Sequence, residues 1–97
     1  MPTYVALYKY TQDGIKNIKQ SPARLNKAKK AIKAAGGKLK AFYLTMGQYD
    51  LVVIAEWPDD ETAAKFLLAQ ASEGNVKSET LKAFSEAEYR KIISELP

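Results

Sequence analysis

One stretch constrains the fold of this chain more than any other: Phe42-Tyr43-Leu44-Thr45-Met46-Gly47-Gln48-Tyr49-Asp50-Leu51-Val52-Val53-Ile54. Two apolar runs flank Gly47-Gln48, and glycine accepts the positive φ that a two-residue type II′ turn requires at its first central position. The spacing therefore predicts a β-hairpin in the middle of the sequence. Its first strand runs from Lys38 to Met46, with Phe42, Leu44 and Met46 on one face and Leu39, Ala41, Tyr43 and Thr45 on the other. Its second strand runs from Tyr49 to Trp57. Leu51-Val52-Val53-Ile54-Ala55 is apolar on both faces, the pattern of a strand covered on both sides.

The rest of the chain arranges itself around that hairpin. Tyr4 to Tyr10 is a strand, again apolar on both faces, and Thr11 caps a short helical turn carrying Ile15 and Ile18. Ser21-Pro22 reads as N-cap and first helical residue of a helix that runs to about Ala35 and stops at Gly36-Gly37. In that helix Leu25, Ala28, Ile32 and Ala35 share one side, while Lys27, Lys30 and Lys33 lie opposite, which is the pattern of a docked amphipathic helix. Pro58 ends the hairpin's second strand. Asp59 or Asp60 then caps a helix to about Glu73 that buries Ala64, Leu67, Leu68 and Ala71, with Gly74-Asn75 closing it. Val76 to Phe84 is a more polar strand, suited to a sheet edge. Ser85 and Glu88 form a capping box ahead of a terminal helix whose Tyr89, Ile92, Ile93 and Leu96 make an i, i+3, i+4, i+7 stripe.

The order β-α-β-β-α-β plus a C-terminal helix is that of the ferredoxin-like fold: an α+β, four-stranded antiparallel sheet with both helices on one face and the first and third strands central. One domain spans residues 1–97. Helices on one face leave the other bare, carrying either Tyr4/Ala6/Tyr8/Tyr10 or Val5/Leu7/Lys9 from the first strand. Monomers rarely expose so large an apolar patch, so a sheet-to-sheet homodimer or higher homo-oligomer is expected.

Composition excludes more chemistry than it suggests. There is no Cys and no His, which removes disulfides, thiolate nucleophiles, ordinary zinc sites, His-ligated haem and the Ser-His-Asp triad. No metal and no cofactor is expected. No apolar run approaches the roughly 20 residues that cross a bilayer, and no basic segment precedes a long apolar one, so no membrane association and a cytoplasmic location are expected. The net charge of +4 is unevenly spread. Residues 1–49 hold ten basic side chains and one acid, Asp13, and residues 50–97 hold ten acids and five bases. No aromatic residue interleaves the lysines as single-strand binding demands. We read them as a solvated helix face rather than a nucleic-acid surface.

Nearly the whole chain resembles the small GYD-domain proteins of the dimeric α/β-barrel superfamily. The likeness runs through Thr11-Gln12-Asp13-Gly14-Ile15-Lys16, Ser21-Pro22-Ala23-Arg24, Gly36-Gly37-Lys38, Phe42 to Asp50, and Gly74-Asn75-Val76 onward to Thr80-Leu81-Lys82-Ala83-Phe84. It implies the βαββαβ fold and a barrel-like dimer, and no established reaction. The Gly47-x-Tyr49-Asp50 hairpin is also similar to the effector domain of the leucine-responsive regulators. Those domains oligomerise through their sheets and bind amino acids at subunit interfaces near that hairpin; this chain lacks their helix-turn-helix half.

Six residues, Tyr8, Arg24, Tyr43, Thr45, Tyr49 and Asp50, are candidates for binding. Asp50, beside Tyr49 at the mouth of a central strand, can hold a ligand amine or act as a base, or can lock the hairpin by accepting backbone N–H groups. Tyr8, Tyr10 and Tyr43 can wall a pocket or fill a dimer core. Thr45 is a polar companion, and Arg24 at a helix start can meet a carboxylate or phosphate. Lys9, within an apolar strand, belongs at the sheet's rim. The resulting expectation is a non-enzymatic oligomeric module binding a small amine- or carboxylate-bearing metabolite near Gly47–Asp50. Two alternatives stand beside it. One is a cofactor-independent oxygenase or isomerase using Tyr43, Tyr49 and Asp50, with the missing His counting against it; the other is a purely structural module.

Overall fold

A computed structural model describes residues 1–97. The elements are β1 (Thr3–Tyr10), α1 (Gln12–Lys16), a 3₁₀ turn (Ile18–Gln20), α2 (Ser21–Ala34), β2 (Lys38–Leu44), β3 (Leu51–Glu56), α3 (Asp60–Ser72), β4 (Val76–Ala83) and α4 (Glu86–Ser94). The sheet has the order β2-β3-β1-β4, and all three pairings are antiparallel. The two strands with apolar residues on both faces are the central pair, as expected, and the polar β4 is an edge. This is the ferredoxin-like α+β arrangement. No helix is long and apolar enough to cross a membrane.

The pleat of β1 sorts its side chains between the two layers. Tyr4, Ala6 and Tyr8 are buried, and Tyr4 packs in one cluster with Ile32 of α2 and Ala63 of α3. The even-numbered residues thus face the helices, while Val5, Leu7 and Lys9 point to the bare side. Trp57, just past β3, is 3% exposed and meets Phe66 of α3 with ring centroids 4.9 Å apart. That pair sets the rotation of α3. The helix turns Ala63, Phe66, Leu67 and Gln70 inward rather than the Ala64, Leu67, Leu68 and Ala71 expected from periodicity, and Leu68 is 71% exposed. The sequence pattern tolerated either phase, and the aromatic contact chose.

Three further expectations need correction. Ser21 is the first residue of α2 and not its cap, since its backbone is already helical (φ −56°, ψ −42°); Gln20 occupies that position without a side-chain cap bond, and the Ser21 hydroxyl lies 3.1 Å from the Tyr10 hydroxyl. In β2 a bulge between Leu39 and Ala41 shifts the register. Leu39 and Phe42, an odd number of residues apart, therefore both pack on the helix side. The hairpin turn is also longer than two residues. The ladder ends at Leu44↔Leu51, and Thr45 N–H bonds the Asp50 carbonyl at 2.8 Å across a four-residue loop, Met46–Tyr49. Gly47 has φ +131° there, and Met46 projects wholly into solvent instead of lining a strand.

The other N-cap expectations hold. Thr11 accepts the Gly14 N–H, Asp59 accepts the Thr62 N–H, and Ser85 with Glu88 closes a capping box. α4 leaves the body of the domain with Tyr89, Ile92, Ile93 and Leu96 all exposed. The Cα radius of gyration, 14.7 Å, accordingly exceeds the roughly 12.5 Å of a compact chain of this length.

Two buried phenols give the domain a pH limit on the alkaline side. Burial pushes Tyr8 from 10.0 up to about 12. Burial, reinforced by the hydrogen bond to Asp60, raises Tyr4 to about 12. Both groups are neutral when protonated, and their folded pKa values lie above the unfolded ones. Their contribution is therefore complete below about pH 10 and is lost as pH rises towards 12. In an ultraviolet phenolate titration Tyr4 and Tyr8, of the six tyrosines, are expected to ionise last, together with unfolding. Simultaneous titration of all six near pH 10 in the folded protein would refute this.

Candidate functional site

β1, β3 and the bulged β2 form the floor of a cavity of ≈ 170 Å³ roofed by α2 and α3, at the hairpin end of the sheet. Its walls are apolar, chiefly Leu25, Ala28, Phe42, Leu51, Val53 and Phe66. Polar groups gather along one side. Tyr8 donates its hydroxyl to Gln70 Oε1 at 2.7 Å, which ties β1 to the inner face of α3. Tyr10 meets Ser21 at the start of α2. Lys27 of α2 and Glu73, just past α3, approach to 3.5 Å and bridge the two helices in the open, where such a pair contributes little.

Arg24 is a polar lining residue with unused capacity. Its Nη1 donates to the Asn17 carbonyl at 3.1 Å. Its Nη2 is shielded from solvent and has no hydrogen-bond partner, and the guanidinium enters none of the chain's ion pairs. A shielded N–H without an acceptor costs about 1–3 kcal/mol.

The sequence-derived candidates divide into two groups. Tyr8 and Arg24 line the cavity, as does Tyr10, while Tyr43, Thr45, Tyr49 and Asp50 do not. Tyr43 pairs with Val52 on the bare face of the sheet. Tyr49 crosses that same face, donating to Glu79 Oε2 at 2.8 Å, with Lys9 Nζ 5.4 Å from its ring. The bond to Glu79 raises the Tyr49 pKa. Thr45 closes the loop through its hydroxyl, 2.5 Å from the Tyr49 carbonyl. Tyr43, Tyr49 and Asp50 therefore do not converge on the cavity as an acid/base set.

Asp50 serves the sheet. Its N–H bonds the Tyr8 carbonyl at 2.8 Å, and its Oδ2 accepts the Tyr10 N–H at 2.9 Å. β3 proper ends opposite Tyr8, so the carboxylate extends the ladder one step and fixes the backbone of Tyr10, whose ring lines the cavity. Asp50→Ala is expected to cost about 1–3 kcal/mol in urea denaturation, because a charged acceptor is lost and the Tyr10 N–H is left unpaired. Asp50→Asn keeps an acceptor oxygen and should lose less than about half of that. Equal stability of the alanine variant and the parent would remove Asp50 from this role.

Periodicity did not single out Gln70, Ser21 or Asn75, which also line the cavity. Gln70 was legible in principle, as the i+7 partner of Ala63, but only once the phase of α3 is known.

Residues 4–93 match the GYD domain family. The chain is also 34% identical over 89 residues to the "Glutamine synthetase and cystathionine beta-lyase binding protein" of Thermus thermophilus, an alignment covering 91% of this chain and 94% of that protein. No solved structure gives a significant match. With the sheet order, the Gly47-x-Tyr49-Asp50 hairpin and a family match across nearly its full length, the chain belongs to the GYD-domain family.

Proposed function

We propose that this protein is a cytoplasmic, non-enzymatic, homo-oligomeric module that binds a small amine- or carboxylate-bearing metabolite at the hairpin end of its sheet. The observation that carries the reading is the cavity between sheet and helices, apolar in its walls, with Tyr8, Tyr10, Ser21, Arg24 and Gln70 among its polar lining. Tyr8 and Arg24 supply its polar side. Tyr43, Thr45, Tyr49 and Asp50 lie at the adjoining hairpin, where a partner subunit seated on the bare face meets Tyr43 and Tyr49. A thermal-shift screen with amino acids and small organic acids tests this. A ligand specific to the folded state adds about 2.7 kcal/mol at a hundredfold excess over Kd. A screen without a single stabilising compound counts against the reading.

A second copy of the chain is the proposed cover for the bare face. Val5, Leu7, Val52, Ile54 and Leu81 form its apolar centre, and an interface of standard size takes about 800 Å² from each partner. Ile54→Lys, at the middle of that face, should convert the dimer to a folded monomer in light scattering. A monomeric parent protein would end the proposal.

The similarity to an enzyme-binding protein supports a second reading, in which the module docks on a metabolic enzyme. The exposed stripe of α4 favours it, since an amphipathic helix that packs on nothing is suited to lie in a groove. Interferometry with purified glutamine synthetase and cystathionine β-lyase should show binding that Ile93→Asp weakens at least tenfold. Absence of binding by the parent protein would dispose of this reading.

A further inference from the structure

One donor on the cavity's polar side has its direction already fixed. Tyr8 is buried, and burial pushes its phenol up to about 12, so at neutral pH its hydroxyl carries a proton that needs an acceptor. The Gln70 carboxamide, 2.7 Å away, is that acceptor. Only its Oε1 end can accept, which turns the Nε2 end, with two N–H groups, away from Tyr8. Gln70 is half-buried and lines the cavity. Its Nε2 has no hydrogen-bond partner in the chain, yet the only shielded, partnerless side-chain polar atom is Arg24 Nη2. Gln70 Nε2 is therefore open to an incoming group. Arg24 cannot take the same part, because Nη1 is bound to the Asn17 carbonyl and Nη2 is closed off. The remaining polar lining is neutral and mixed. Tyr10 and Ser21 share one hydrogen bond, which leaves lone pairs on both hydroxyls, and Asn75 adds a second carboxamide. A ligand that carries an ammonium as well finds acceptors there. What the wall fixes is the group beside Gln70, which has to be an acceptor.

We propose, on the premise of the metabolite reading above, that Gln70 reads the ligand's head group: Nε2 donates to a carboxylate oxygen, and Tyr8 holds the carboxamide in that direction. Of the two head groups in that reading, the carboxylate is the acceptor. Gln70 is thus a binding residue and Tyr8 a positioning residue that acts through it. The ligand's apolar body lies against Phe42, Leu51, Val53 and Phe66. An engineered cavity of about 150 Å³ accepts benzene, so ≈ 170 Å³ suits a body of five or six carbon atoms.

Two probes with one tail test the assignment, 4-methylpentanoate and 4-methylpentan-1-amine. The Gln70 side-chain amide protons give their own pair of resonances in the nitrogen–proton correlation spectrum of the full chain. Titration with the acid at neutral pH should move that pair downfield, together with the backbone amides of Tyr8 and Tyr10. Titration with the amine should leave the pair in place. If the acid moves the cavity's backbone amides and not the Gln70 pair, the assignment is overturned and the metabolite reading stands. No response to the acid at millimolar concentration overturns it as well, and the thermal-shift screen then judges the metabolite reading separately. Gln70→Met should lower the ratio of acid to amine affinity at least tenfold in isothermal titration. Tyr8→Phe should weaken the acid several-fold alone and not at all in the Gln70→Met background, since its effect passes through Gln70. Equal losses for acid and amine, or a Tyr8→Phe effect that persists without Gln70, would reduce both residues to structural parts. The spectra use the parent protein, so they decide the matter even if a variant fails to fold.

Discussion

Trp57→Ala is expected to cost about 3–5 kcal/mol of stability and to lower the melting midpoint by more than about 10 °C. The ring is 3% exposed and fills the space between α3 and the turn after α2. It meets Phe66 at a 41° tilt. On the other side its Cε3 sits so close to Gly37 that a Cβ there would stand only 2.9 Å away. Neither neighbour can collapse into the gap: Phe66 is fixed by its helix, and Gly37 has no side chain to offer. The cavity term should therefore add to the lost transfer energy. Trp57 is the sole tryptophan, so circular dichroism has to follow the unfolding. Leu68→Ala on the exposed face of α3 is the matched control, with an expected effect within about 0.5 kcal/mol. A loss at Trp57 no larger than that of the control would refute this account of the core.

Gly14→Ala tests a close approach rather than a volume. In an ordinary helix, replacing glycine by alanine stabilises by about 0.5–1 kcal/mol. The opposite sign is expected here. A Cβ on Gly14 would collide with the Asn75 carbonyl, lying 3.0 Å from its carbon and 3.3 Å from Tyr10 Cδ1. That carbonyl cannot move away freely, because it accepts the Thr11 N–H at 3.0 Å, and Thr11 Oγ1 is bonded to the Gly74 carbonyl at 2.6 Å. Overpacking against backbone costs about 1–3 kcal/mol or more, which outweighs the propensity gain. Urea denaturation should show a net loss. Asn75 and Tyr10 both line the cavity, so ligand affinity should fall with stability. A variant as stable as the parent would mean that the turn before β4 shifts at no cost.

The two faces of the sheet divide differently in their legibility. Strand number, order and the central position of β1 and β3 were readable because two-sided apolar runs have one place in a two-layer fold. The caps at Thr11, Asp59 and Ser85 were readable because each is a local exchange between a side chain and backbone three residues on. Turn length was not. Thr45 and Asp50 spend their polar groups on the loop and on β1, and that competition widens a turn which Gly47 alone would allow to be tight.

What the sequence determined by itself is therefore local: element types, capping, the absence of Cys and His chemistry, and which strands lie in the middle. Tertiary structure alone decided which face of β1 meets the helices, the rotation of α3 about the Trp57–Phe66 contact, and the bulge that brings Leu39 and Phe42 to one side. It also separated Tyr43, Tyr49 and Asp50 from the cavity and placed Arg24 beside it with Nη2 unpaired. The physical reason is range. Periodicity and capping act over a few residues along the chain. A cavity is the space left where residues from β1, α2, β2, β3 and α3 fail to fill one another, and no local rule encodes that remainder.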